Sequence, residues 1–562
     1  MVAERKYITQ SPETLGQQIE NRLIDLARIG GISIEPQDGR ERFEVKRLAL
    51  SPEDVKARGL LTHWMEEAGM CVTQHPLGLI GVYPGRIPQL ATTYMMSHYD
   101  SVPTGGMYDG TVGVVAGIEV VRQMRREGTR PNRSVGVIAL TGEESARFKM
   151  ALFGSRGMFH GLTETELDAQ AAGDVSLREA LRTLGVSEDT VKKPFIHPKD
   201  VHAIVELHVS QDGNLERKKV DLAVIEAIAA ADRYDVVVGD PLQGQERKQY
   251  PFEAYYRLGI EGKTGHSGAT PMGTKYRADG LVPAAGFMIR LGVLQNRLRA
   301  EQSSVNIVVG NVTIDKQSIN QIPGKTNLIV GIRGESGDEV FALSKHLMHY
   351  TSERNRRYKT DPTSYEGTPL SFEPTGPKDN ITFFEAEHML NHHMVAGMIS
   401  TVVQSISTTY GDRRIVGTVG TYDINDKGQV ILGLDIRGIH KDVRSAAVGD
   451  ILSLSHSLAR RNGVSLDTRR LAGSGDPINL DPDLVAQARE VIEQNNIGSY
   501  EVTFSPAGHD TGNAARAGIP SVMLFIPSRN GGVSHNPQEY STSEDLERGT
   551  RALSALIHRL AS

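Results

Sequence analysis

Sulfur, bulk positive charge and long apolar runs are what this 562-residue chain has little of. A single cysteine, Cys71, excludes an internal disulfide framework and any thiolate metal cluster, and the residue itself reads as a small core side chain. Sixty-two Lys and Arg against 68 Asp and Glu leave a net charge of −6, so there is no cationic bulk to neutralise a phosphate backbone, and nucleic acid is not an expected partner. No stretch approaches the ~20 apolar residues that cross a bilayer, and the polar start Met1-Val-Ala-Glu-Arg-Lys carries no apolar signal segment. The expectation is a cytoplasmic chain without a membrane partner. The rest of the composition, 39% hydrophobic and 23% charged, is that of a globular protein. At ~150 residues per domain the length suggests three or four units.

The N-terminal region alternates strand and helix signals. Ser51-Pro-Glu-Asp supplies an N-cap, a first-turn proline and early acids for a helix over 51–69. Residues 90–96, 134–140 and 201–208 are short, apolar and β-prone, as strands buried on both faces are, and 112–124 has helical length and spacing. Polar residues with metal-binding chemistry follow the strands, where open α/β sheets place their ligands. From about Pro251 the texture changes to strand-helix-strand with few candidate ligands. It changes back near Asp481, and 521–526 is again a buried-type strand before a closing helix. The reading is an α/β catalytic domain, discontinuous over 1–250 and 461–562, with a mixed, mostly parallel sheet flanked by helices. An α+β lid is inserted over 251–460.

The insertion contains an internal echo. Ile307-Val-Val-Gly-Asn-Val, Ile319-Asn320 and Ile332-Arg333-Gly334 are matched in order by Ile415-Val-Gly-Thr-Val, Ile424-Asn425 and Ile436-Arg437-Gly438. Each set follows a helix-like stretch (282–294 and 394–406) and precedes an amphipathic one (about 337–350 and 442–460). The lid is therefore read as duplicated, with halves at about 251–350 and 364–460.

Four clusters carry metal chemistry: His98-Tyr-Asp100 with Asp109; Thr141-Gly-Glu143-Glu144; Glu206-Leu-His208; and Ser534-His535-Asn-Pro-Gln-Glu539. Imidazoles and carboxylates from neighbouring strand ends are metal ligands of the hard-to-borderline type. Adjacent carboxylates such as Glu143 and Glu144 repel unless a cation or proton relieves them. Asp100 is placed to hold the second ring N–H of His98. Together the clusters offer two histidines, a shared aspartate, a glutamate and a third histidine, enough for two adjacent metals, with a second glutamate left to act as base.

In these motifs the sequence resembles the M20 metallopeptidase-like amidohydrolases, in the branch of N-carbamoyl-L-amino acid hydrolases, allantoate amidohydrolases and β-ureidopropionases. The likeness rests on Ser97-His-Tyr-Asp-Ser-Val-Pro-Thr-Gly-Gly-Met-Tyr-Asp-Gly110, Thr141-Gly-Glu-Glu144, Glu206-Leu-His-Val-Ser-Gln211, Gly265-His-Ser-Gly268, Asn320-Gln-Ile-Pro-Gly324 with Arg333, Gly508-His-Asp510 and the run from Pro527 to Glu539. The resemblance implies that His98 and His208 bind one divalent ion, Glu144 and His535 another, and Asp109 bridges them. The ions would be zinc, or manganese, cobalt or nickel. It implies Glu143 as general base towards a metal-activated water, substrate contacts from Gln211, His266, Asn320 and Arg333, and His266 as an oxyanion donor reaching a neighbour's site from a dimerising lid. The implied reaction is hydrolysis of a linear non-peptide C–N bond in a small N-carbamoyl, ureido or N-acyl compound bearing a carboxylate. The alternatives are an N-acyl amino acid or dipeptide hydrolase, an aryl-amine deaminase, or a non-catalytic binding protein.

The chain departs from the family pattern in three places. Ser210 stands where the family has an acid, the lid carries a second copy of itself, and that copy keeps Asn425 and Arg437 but has no Gly-His-Ser-Gly motif. His388, His392 and His393 are its nearest histidines, the last two read as surface residues. A tethered second copy raises the alternative of a monomer with a pseudo-symmetric lid in place of a homodimer, with one of those three histidines as oxyanion donor. Either Arg333 or Arg437 could clamp the substrate carboxylate. His509 and Asp510 read as buttresses of the site.

Overall fold

The structure, a computed structural model, describes residues 13–144, 146–148, 150–169, 175–240, 250–267, 277–315, 318–319, 321–360, 370–375, 387–410, 415–471 and 475–562; at a few of these, His266 and His388 among them, only the backbone is described. Asn320 lies outside these residues. The chain forms two compact units, Met1–Glu226 with Leu480–Thr503 and His509–Ser562, and Ala227–Asn479 with Phe504–Gly508.

The first unit is built on a nine-stranded sheet. Its strands include Cys71–His75 (β1), Gly78–Tyr83 (β2), Thr92–His98 (β3), Val135–Leu140 (β4), Val201–Val209 (β5) and Leu222–Ile228 (β6). The order across the sheet is β6, Ser521–Ile526, β5, β3, β4, β2, β1. The four central strands run parallel, and β6, β2 and β1 are antiparallel additions at the flanks. All six residues of β4 and of Ser521–Ile526 are buried, as expected for strands covered on both faces. The helix Pro52–Glu67 starts where the sequence predicts, with the Ser51 hydroxyl accepting from the Asp54 amide and Pro52 in the first turn. Cys71 is a correction: it is exposed, because it opens the edge strand β1, most of which faces outward.

The second unit holds two four-stranded antiparallel sheets of the same design. One is Phe252–Glu261 (β8), helix Leu281–Ala300, Asn306–Ile314 (β9), Lys325–Gly334 (β10), helix Gly337–Thr360 and Leu370–Pro374 (β11), in the order β9-β10-β8-β11. The other begins earlier and ends later: Ala230–Val238 (β7), helix Glu387–Tyr410, Val416–Ile424 (β12), Val430–Gly438 (β13), helix Lys441–Arg461 and Leu466–Arg470 (β14), in the order β12-β13-β7-β14. The first half is thus nested inside the second, between β7 and Glu387–Tyr410, and the unit starts ahead of the change in texture at Pro251. Register matches as well as order: Glu253 pairs with Arg333 as Ala231 pairs with Arg437. Both β9 and β12 carry a register shift midway. The helices Leu281–Ala300 and Glu387–Tyr410 cross at small residues; a Cβ on Gly397 would stand 2.8 Å from the Ala285 carbonyl oxygen. No described helix is long and apolar enough to cross a membrane.

Candidate active site

The central strands deliver the site at their C-terminal ends. His98 is the last residue of β3, His208 the penultimate residue of β5, and Glu143 and Glu144 follow β4. Two glycines make the approach possible. Gly142 (φ 85°) turns the chain beneath the two glutamates, and a Cβ there would stand 2.3 Å from the Phe153 ring. Gly110 (φ 68°) lies against the His98 ring, where a Cβ would be 2.3 Å from Nε2.

His98 Nδ1 points to the main-chain carbonyl of Asp100 at 3.2 Å, and His208 Nδ1 to that of Val209 at 2.9 Å. Those bonds take each Nδ1–H, so both Nε2 lone pairs turn inward, 3.4 Å apart, onto Asp109 Oδ1 at 3.6 Å and 3.1 Å. On the other side His535 Nε2 lies 3.2 Å from Glu144 Oε1 and 3.7 Å from Asp109 Oδ2. The ligand atoms of His98, Asp109 and His208, and those of Asp109, Glu144 and His535, each gather within 4.8 Å of one another. Asp109 belongs to both groups through different oxygens. Lone pairs of two imidazoles and a carboxylate converging in a buried space are a donor set that divalent ions fit. The charges agree. Burial would raise Asp109, but the imidazoles of His208, His98 and His535 hold its carboxyl well below the usual range. Burial opposes charging His535 too, yet Glu144 and Asp109 pull it up to about 9.

Glu143 lies beside this set and in neither ligand group. Burial drives its carboxyl well above the ordinary range, with Glu144 and Asp510 adding repulsion and His98 opposing. The Asp100 carboxylate accepts the main-chain N–H of Glu143 at 3.2 Å and of Glu144 at 3.3 Å. Asp100 therefore serves His98 through its carbonyl and the glutamate turn through its side chain, a division the His-x-Asp spacing did not signal.

The remaining sequence candidates fall in different places. Gln211, read as a substrate contact, donates to Asp109 Oδ2 at 2.9 Å. Ser210 turns its hydroxyl onto the Asp212 carbonyl at 2.8 Å, and the Asp212 carboxylate accepts the Asn214 amide at 2.9 Å. That acid is thus held at the start of helix Asn214–Lys218. The His509 ring stands edge-on to His208 at 4.7 Å, and Asp510 is buried, pushed up to about 7 by burial and by Glu206. Glu206 accepts from Ser97 and from Thr511, which marks it as a structural acceptor. Sequence reasoning assigned nothing to Ser534, whose hydroxyl donates to Asp109 Oδ2 at 2.7 Å, or to Glu539, whose Oε1 accepts the Tyr108 and Asp109 amides at 2.9 and 2.6 Å.

In the second unit, His266 forms the short strand Gly265–His266 against Gln321. Arg333 is buried, its Nη2 3.3 Å from the Tyr255 hydroxyl and its Nε 3.7 Å from Glu253. Arg437, at the matching register, binds Asp435 through Nε at 3.0 Å and Nη2 at 2.9 Å, and the Pro506 carbonyl at 3.2 Å. Asn425 closes its own hairpin, its side-chain oxygen accepting from Lys427 and Gln429. His392 and His393 are a correction: both are buried, because the helix that carries them packs between the two halves. His393 bonds the Tyr422 hydroxyl at 2.6 Å.

A parallel α/β sheet with a buried imidazole–carboxylate array at its strand ends is the architecture of a metallohydrolase. The sequence pattern of peptidase family M20/M25/M40 matches residues 94–559, and the chain belongs to that family. It is 30% identical over 351 residues to the N-carbamoyl-L-amino acid amidohydrolase of Geobacillus stearothermophilus, a match covering 62% of this chain and 77% of that one. It is 25% identical over 527 residues to the ureidoglycolate hydrolase of Arabidopsis thaliana, covering 92% and 82%. The fold matches an amidase of the hydantoinase/carbamoylase family from Burkholderia multivorans with TM-score 0.55 at 22% identity, over 97% of this chain and 98% of that one.

Proposed function

We propose that the chain hydrolyses a linear, non-peptide C–N bond of a small N-carbamoyl, ureido or N-acyl compound bearing a carboxylate, using two divalent metal ions. The observation that carries this reading is Asp109, whose two oxygens face separate ligand groups in one buried space. His98 and His208 would hold one ion, Glu144 and His535 the other, and Asp109 would serve both. When bound, such ions lower the pKa of water and polarise a carbonyl. Glu143, next to the ligands and outside both groups, takes the proton of the attacking water and returns it to the leaving nitrogen. The names of the relatives support a carbamoyl or ureido substrate. Turnover of metal-stripped and reconstituted protein on a panel of N-carbamoyl, ureido and N-acyl amino acids tests the reading. Glu143→Gln is expected to keep its metal and lose about 10²–10⁴-fold in kcat. Near-normal turnover in that variant removes Glu143 from the mechanism, and activity on dipeptides alone moves the substrate class.

The nested topology supports a second statement. The two halves of the second unit are a duplication, and their pairing replaces the lid-to-lid contact between two chains that the family resemblance implies. Order, register and register shift agree between them. The nested half carries Gly265-His266-Ser267 and the flanking half has no counterpart to that motif, which leaves His266 as the motif histidine of this unit. Light scattering at low concentration is then expected to give about 61.3 kDa. A mass twice that would return the contact to a dimer.

A further inference from the structure

One loop and one turn far apart in sequence meet at the array, and three side chains of the loop converge on Asp109. Residues 534–540 follow the strand Ser521–Ile526 and bring three groups to it. His535 faces Asp109 Oδ2 at 3.7 Å. Ser534 Oγ donates to that same oxygen at 2.7 Å. Glu539 reaches behind, and its Oε1 accepts the amides of Tyr108 and of Asp109 itself. Two successive N–H groups on one carboxylate oxygen form an anion-holding nest, and charge-assisted bonds of this kind are the stronger ones. The contact is close enough to constrain its neighbours: a Cβ on Gly106 would stand 2.5 Å from the Glu539 Cβ. Glu539 is buried, and its Oε2 has no hydrogen-bond partner among the described residues. A buried carboxylate held this way would be a poor choice for stability alone, since an apolar or amide side chain of the same shape would avoid the desolvation cost. His535 adopts φ 57°, unusual for a non-glycine residue, and so the loop accepts backbone strain at its own ligand.

We infer that Ser534 and Glu539 are positioning residues for Asp109: Ser534 fixes the plane of its carboxylate and Glu539 fixes its backbone, so that one carboxylate spans both ligand groups. This rests on Asp109 being shared between two metals. Delivery from the His535 loop ties the aim of the bridging carboxylate to the placement of His535, so the two ligands of that side are set together.

The test is titration of metal-free full-length protein with cobalt(II), read by its d–d absorption and by the stoichiometry of binding, on wild type, Ser534→Ala and Glu539→Gln. Both variants are expected to bind cobalt more weakly, Glu539→Gln by tenfold or more and Ser534→Ala by several-fold, with a changed absorption spectrum at saturation. Metal-free thermal unfolding of Ser534→Ala is expected to stay at the wild-type temperature, a result that a merely structural hydroxyl would not leave alongside an altered cobalt spectrum. Should Glu539→Gln fail to fold, the serine variant decides. Wild-type cobalt affinity and spectrum in Ser534→Ala, and in Glu539→Gln where it folds, overturns the inference whatever their turnover. A wild-type chain that saturates with one cobalt ion defeats the two-metal reading instead, and the variants then still report on Asp109, which belongs to either ligand group.

Discussion

The nested and flanking halves of the second unit share strand order, register and helix placement, and yet their equivalent arginines live in different company. Arg437 is committed to Asp435 through two nitrogens and to the Pro506 carbonyl through a third. Arg333, paired across the sheet with Glu253 where Arg437 faces Ala231, has the Tyr255 hydroxyl and the Glu253 carboxylate as neighbours at 3.3 and 3.7 Å. The histidines diverge in the same way. The nested half has His266 in a short strand outside the four-stranded sheet, while His392 and His393 of the flanking half are buried. One strand order and register thus carries two different sets of polar contacts. The flanking half has polar residues turned inward to satisfy each other, and the nested half carries the motif residues for which the family resemblance implies substrate contact.

The largest way to break this contrast is at the histidines. His266→Ala is expected to lower kcat by about 10²–10³-fold with little effect on unfolding, the usual effect of removing one oxyanion donor. Mixing that variant with Glu143→Gln should restore nothing if each site is completed within its own chain. Activity on mixing would mean that chains exchange the histidine and that the flanking half does not replace a partner.

The arginines sharpen it next. Arg333→Lys keeps the charge and loses the planar fork, so KM for a carboxylate substrate should rise roughly tenfold to a hundredfold, matching a loss of about 1.5–3 kcal/mol per charged hydrogen bond. Arg437→Lys should leave KM near wild type and lower the melting temperature by several degrees, because Asp435 loses part of a buried pair. Interchanged outcomes would hand the clamp to the flanking half.

The central strands were legible because strands buried on both faces read as apolar runs that end abruptly in polar residues, and the candidate ligands His98, Glu144 and His208 stand at those ends. The helices of both halves were legible from their 3.6-residue period. Strand β7 was not. Its sequence Ala-Ala-Asp-Arg-Tyr-Asp-Val-Val-Val opens with charges that alternate as on an exposed edge, whereas Asp232 is buried and held by Arg444 at 2.7 Å and Arg470 at 2.5 Å, residues more than 200 positions away. Without that partnership the nesting of one half in the other has no local sign. Glu539 escaped for a related reason: its partners are backbone amides 430 positions earlier, and an amide has no side-chain signature. His393 misled because adjacent histidines on a helix look solvated until the second helix that covers them is placed.

His393 also yields the smallest prediction, and it bears on whether the flanking half has become core. Burial, with His392 beside it, pushes its imidazolium down to about 3 from an ordinary 6.5, so the native chain holds it neutral while the unfolded chain protonates it. Between those values the unfolded state binds the extra proton, and stability must fall as pH falls, by up to about 1.4 kcal/mol per pH unit from this one group. Above pH 6.5 the contribution is complete and flat. His393→Phe removes the titration but also the bond to Tyr422, so it is expected to be less stable at pH 8 and to lose less further stability on going to pH 5 than wild type does. Urea unfolding of both chains at the two pH values measures the difference of differences. Equal losses in the two chains would mean that His393 takes up its proton in the native state, and that the flanking half keeps it open to water.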